Sequence, residues 1–95
     1  IAETVMRAKP IQCGPKASFL QMIEEAEEEA LVGGVGEILF EDGQKSQLAV
    51  TFFANPIKGT WTLVEFHNPQ EACVVAYGGS LTFDVQKYFK KKEEL

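Results

Sequence analysis

Ninety-five residues suffice for one hydrophobic core but not two, so the chain reads as a single domain with short flanking arms. A hydrophobic fraction of 45%, with seven Phe, one Trp and two Tyr, excludes a disordered chain. The net charge of −5 argues against nucleic-acid phosphates or anionic headgroups as partners, and no apolar run reaches the ~18 residues that span a bilayer.

Residues 1–12 hold neither a helical nor a strand period and are interrupted by Pro10, which predicts an N-terminal arm. The start at Ile1 is that of a processed mature protein or a trimmed fragment. Order is expected from Cys13, with Gly14 as N-cap and Pro15 at the first helical position, where its missing N–H costs nothing. Phe19, Leu20, Met22, Ile23 and Ala26 then recur at helical spacing opposite Lys16, Gln21, Glu24, Glu25 and Glu28, predicting an amphipathic helix from about Pro15 to Glu28. The block Glu24, Glu25, Glu27, Glu28 and Glu29 reads as its solvated face.

Residues Leu31 to Phe40 lean towards a strand whose glycines mark a bulge or a close backbone approach. An Asp-Gly signal at Asp42-Gly43 introduces a second strand, with Leu48, Val50 and Phe52 on one face and Ala49, Thr51 and Phe53 on the other. Turn clusters at Asn55–Gly59 and Asn68–Glu71 bracket a third strand from Thr60 to Phe66, and a fourth follows from Ala72 to Tyr77. After Gly78-Gly79-Ser80, the alternating Leu81, Phe83 and Val85 fit a short fifth strand or an extended arm equally well, and residues 86–95 form a charged tail. The expected architecture is α+β: an N-terminal amphipathic helix packed on a four- to five-stranded antiparallel meander, with residues 13–85 as the domain.

Two cysteines in a chain this small favour a Cys13–Cys73 disulfide over two buried free thiols. The bond would tie the helix start to the last central strand and contribute roughly 4 kcal/mol by closing the intervening loop. That pairing favours an oxidising compartment, periplasmic or extracellular.

The ordered set Cys13-Gly14-Pro15, a Glu-rich helix, Gly59-Thr60-Trp61-Thr62, and Ala72-Cys73-Val74-Val75-Ala76 with Gly78-Gly79 resembles a family of small exported bacterial proteins of unknown activity. The resemblance covers residues 12–80 and implies a signal peptide ahead of the first cysteine. Gln70-Glu71 departs from it, since the family has a glycine in that turn, and the tail from Leu81 lies outside it.

Candidate chemistry is sparse. Cys13 at a helix start with His67 as base would make a thiol hydrolase, and Gln12-Cys13-Gly14-Pro15 resembles the nucleophile stretch of papain-like bacteriocin-processing peptidases. Those enzymes are longer, their Gln lies further from the Cys, and no Asp or Asn clearly orients His67. A disulfide would also consume the thiol. His67 otherwise reads as a solvated turn residue.

Two Cys and one His leave a zinc site short of a fourth ligand, Glu41-Asp42-Gly43 lacks the carboxylate series of a calcium loop, and Gly33-Gly34-Val35-Gly36 lacks the Lys-Ser/Thr ending of a phosphate loop. No cofactor is expected. Trp61 reads as core or as a cover over the disulfide; the alternative sets it with Phe53 or Tyr77 in an exposed contact patch. The terminal Lys92-Glu93-Glu94-Leu95 is similar to an endoplasmic-reticulum retention signal and reads as charged tail. The function expected from these residues is non-catalytic binding of a protein or small ligand outside the cytoplasm. A thiol hydrolase and an assembly subunit pairing through an edge strand are the alternatives.

Overall fold

The computed structural model describes residues 4, 5 and 7–86. Its elements are β1 (Gln12–Pro15), α1 (Lys16–Glu25), β2 (Glu29–Leu39), β3 (Lys45–Asn55), β4 (Thr60–Asn68) and β5 (Glu71–Gly78). They form one helix on a single antiparallel sheet of order β1-β5-β4-β3-β2. The α+β meander expected from alternation and turn residues is therefore present.

Strands β2 to β5 follow the predicted turns. In the β2–β3 connection the Phe40 N–H donates to the Gln44 carbonyl at 2.8 Å, and Asp42 Oδ1 accepts from the Gln44 N–H at 3.0 Å. Asn55 Oδ1 accepts from the N–H groups of Ile57 and Lys58, both at 3.0 Å, and thereby shapes the β3–β4 turn. The bulge in β2 falls at Leu31, ahead of the glycine run, while Gly33 makes the expected close approach: a Cβ there would lie 3.0 Å from the Val50 carbonyl.

The fifth strand lies elsewhere than Leu81–Val85, where residues 81–86 contain no strand. It is β1, formed where the sequence suggested the end of an arm and a helix cap. Cys13 pairs with Cys73 across the β1–β5 ladder, and the two are joined by a disulfide with Cα atoms 4.0 Å apart. The bond thus holds the strand leading into the helix against β5, which lies between β1 and β4. Pro15, not Gly14, is the N-cap; its extended ψ of 129° ends the strand and starts the helix. Having no N–H, it suits a sheet edge.

The helix stops at Glu25, three residues before the expected Glu28. Extending it would stack glutamates at i, i+3 and i, i+4 and place them at the negative end of the helix dipole. Instead Glu27 turns left-handed at φ 57°, its N–H donating to the Glu24 carbonyl and the Glu28 N–H to the Ile23 carbonyl. This is a Schellman closure without glycine. The turn is pinned to the β3–β4 loop: Asn55 Nδ2 donates to the Glu27 carbonyl at 3.0 Å, and Lys58 Nζ lies 2.6 Å from Glu27 Oε1.

Strand alternation and register define two faces. The helix face carries Phe53, Thr62, Val64, Phe66, Ala72, Val74 and Tyr77; its core is Ile23 against Phe53, Val64 and Ala72, flanked by Phe19 and Phe66. The second face carries the disulfide, Leu48, Phe52, Trp61 and Leu63. Leu48 and Cys73 are buried there, so apolar burial is not confined to the helix side. The charged tail from Lys87, including Lys92-Glu93-Glu94-Leu95, lies outside the described residues.

Candidate functional site

At 1.5 Å per residue α1 is about 15 Å long, whereas the strands β2 and β3 extend about 36 Å. A helix this short cannot close the sheet face over which it lies. Ile23 is buried and Phe19 half-buried, but Met22 remains 59% exposed beside the opening. Between α1 and strands β4 and β5 the incomplete cover leaves a groove of about 390 Å³.

Its apolar wall is built from Phe19, Met22, Ile23 and Val74, with Tyr77 at its exposed edge. Its polar lining is Glu28, Thr60 and Thr62, with Gln12 of β1. Thr62 stands beside Tyr77 in the β4–β5 ladder and donates its hydroxyl proton to Glu28 Oε1 at 2.7 Å. Glu28 is only 8% exposed, because the left-handed Glu27 turns the chain so that the next side chain faces inward. This corrects the expectation that Glu28 belongs to a solvated helix face. Thr60 Oγ1 is buried and has no hydrogen-bond partner. Such an atom forfeits its bond to water for nothing within the protein, a cost that a ligand can remove.

A second hollow of about 400 Å³ lies between Lys9, Pro10 and β5 and shares Gln12, Val74 and Tyr77 with the groove. It has no buried acid and no orphaned hydroxyl.

The alternative patch of Trp61 with Phe53 or Tyr77 does not lie on one sheet face. Phe53 and Tyr77 flank Thr62 on the helix face, Phe53 buried and Tyr77 76% exposed. Trp61 belongs to the opposite face, where it stacks on Phe52 at 5.7 Å and donates its Nε1 proton to the Gly79 carbonyl at 3.0 Å. Its register partner Gly78 leaves room for the indole: a Cβ would stand 3.4 Å from the ring. Trp61 and Gly78 nevertheless line the groove together with Tyr77.

Cys13 and His67 do not form a dyad. Both cysteine sulfurs are in the disulfide, and His67 Nε2 lies 2.9 Å from Glu65 Oε1. Without a thiol the hydrolase reading has no nucleophile. Gly33-Gly34-Val35-Gly36 lies within β2 and opens no helix, and among the described residues no group of three or more His, Cys, Asp and Glu is placed to hold a metal ion. No helix of the described residues is long and apolar enough to cross a membrane.

No motif or spacing in the sequence marks Glu28, Thr60 and Thr62 as site residues. The alternation of β4 placed both threonines on one face, but the turn that inverts Glu28 carries no glycine or asparagine to announce it. The chain matches no protein-family model, no curated protein and no solved structure.

Proposed function

We propose that this chain is a non-catalytic exported binding domain that holds a small ligand in the groove between α1 and strands β4 and β5. The carrying observation is the combination, in one concavity of about 390 Å³, of an apolar wall with a buried carboxylate and an unpartnered hydroxyl. Ligand sites have this composition: apolar area for affinity and a few placed polar groups for orientation. Export is supported by the disulfide, since such bonds persist in oxidising compartments.

Calorimetry of the full chain with n-hexanol, a neutral probe with an apolar body, tests the reading. Saturable binding that is lost in Ala26→Phe, a variant that fills the groove from a position that does not line the second hollow, supports it. Binding that persists in a folded Ala26→Phe variant places the probe elsewhere and contradicts it.

A second reading, assembly through the sheet edge, is favoured by β2. This outer strand has no Lys, Arg or Pro in its eleven residues, and Val32, Val35 and Leu39 on it are exposed. A defined dimer in light scattering, dispersed by Val35→Lys, would support assembly; a monomer at all concentrations would exclude it.

A further inference from the structure

We infer that the groove selects a small primary amine carried on an apolar body; this rests on the ligand-binding reading above and specifies its chemistry. Glu28 is a nearly buried acid with no cationic partner among the described residues. Three of the lysines are committed elsewhere: Lys58 bonds the exposed Glu27, Lys45 pairs with Glu37, and Lys16, at the other end of α1, lies 5.5 Å over the Phe66 ring. A carboxylate taken from water without a counter-charge is costly, and the one hydrogen bond from Thr62 offsets only part of that cost.

The neighbouring groups match an ammonium head. Thr62 spends its only proton on Glu28, so its oxygen is left as an acceptor facing the same groove. Thr60 Oγ1, two positions along β4 on the same face, is buried and unpartnered, and it too can accept. An ammonium presents three donors, which these three acceptors can satisfy together; an alcohol presents one, and a carboxylate presents none and is repelled by Glu28. Tyr77 at the rim adds an aromatic face of the kind that attracts cations, and the net charge of −5 favours the approach of a cation. The apolar body would lie against Phe19, Ile23 and Val74.

Calorimetric titration of the full chain with n-hexylammonium, n-hexanol and n-hexanoate at neutral pH tests the inference. The expected order is ammonium first by at least about tenfold over the alcohol, with the carboxylate weakest. Glu28→Gln keeps an acceptor for Thr62 and is expected to bring the ammonium down to the affinity of the alcohol. Thr60→Val, which removes a hydroxyl with no bond to lose, is expected to weaken the ammonium severalfold more than the alcohol. Nα-acetyl-lysine amide, run alongside, separates the sources: weaker binding than hexylammonium assigns the site to a free amine, and equal or tighter binding overturns that assignment in favour of a peptide lysine. Equal affinities for ammonium and alcohol on the unmodified chain overturn the amine inference and leave the groove reading intact, whether or not the variants fold. Absence of binding by all probes overturns both.

Discussion

Glutamate 27 and glutamate 28 are adjacent and chemically identical, yet they have opposite surroundings. The Glu27 carboxyl is held below its ordinary range by the hydrogen bond from Lys58 and by that ammonium's charge. Because the folded value is depressed, the pair's contribution is present above the unfolded carboxylate range and is lost as pH falls through the folded value. Lys58→Ala is expected to raise the Glu27 titration midpoint towards the ordinary range, as read by carbon-detected NMR; an unchanged midpoint would remove Lys58 as the cause. The two groove threonines should differ in sign. Thr60→Val replaces an orphaned hydroxyl with a methyl and is expected to stabilise the fold by about 1 kcal/mol, whereas Thr62→Val strands the Glu28 carboxylate and is expected to cost about 2 kcal/mol, both measured by urea denaturation.

The helix and the short strand before it depend on one another. β1 contributes only four residues to the ladder, and the disulfide holds it to β5. Removing the bond in a Cys13→Ser, Cys73→Ser variant is expected to cost about 4 kcal/mol, with amide exchange accelerating first in β1 and the first turn of α1. Uniform acceleration across β3 and β4 would show instead that the bond stabilises the whole sheet. Ile23 is the buried contact of the helix with Phe53, Val64 and Ala72. Ile23→Ala is expected to cost about 3 kcal/mol in denaturation and to abolish ligand binding, since the residue is both core and groove wall.

Across the molecule, the meander was legible because its signals are local: alternation at Leu48–Phe53, Asp-Gly and Asn-Pro turns, and β-branched and aromatic residues in Thr60–Phe66. The cysteine pairing was legible from number and context. The position of the fifth strand was not, because Gln12–Pro15 has no alternation and is a strand only through its pairing with β5 and the disulfide. The site was hidden for a related reason. Glu28 enters the groove through a left-handed glutamate that local propensity disfavours, and the threonines gain meaning only once the helix ends short of covering them. The separation of Trp61 from Phe53 and Tyr77 was available in principle from strand parity and ladder register, and only the parity could be read from sequence.

We propose the uncovered space between α1 and strands β4 and β5 as a ligand site. Its most direct measurement is a set of intermolecular NOEs between n-hexylammonium and the methyl groups of the full chain. NOEs are expected from the ligand's hydrocarbon chain to Ile23 and Val74, and from the methylene next to nitrogen to the Thr60 and Thr62 methyls. NOEs confined to Val35 and Leu39 on the open edge of β2 would contradict it.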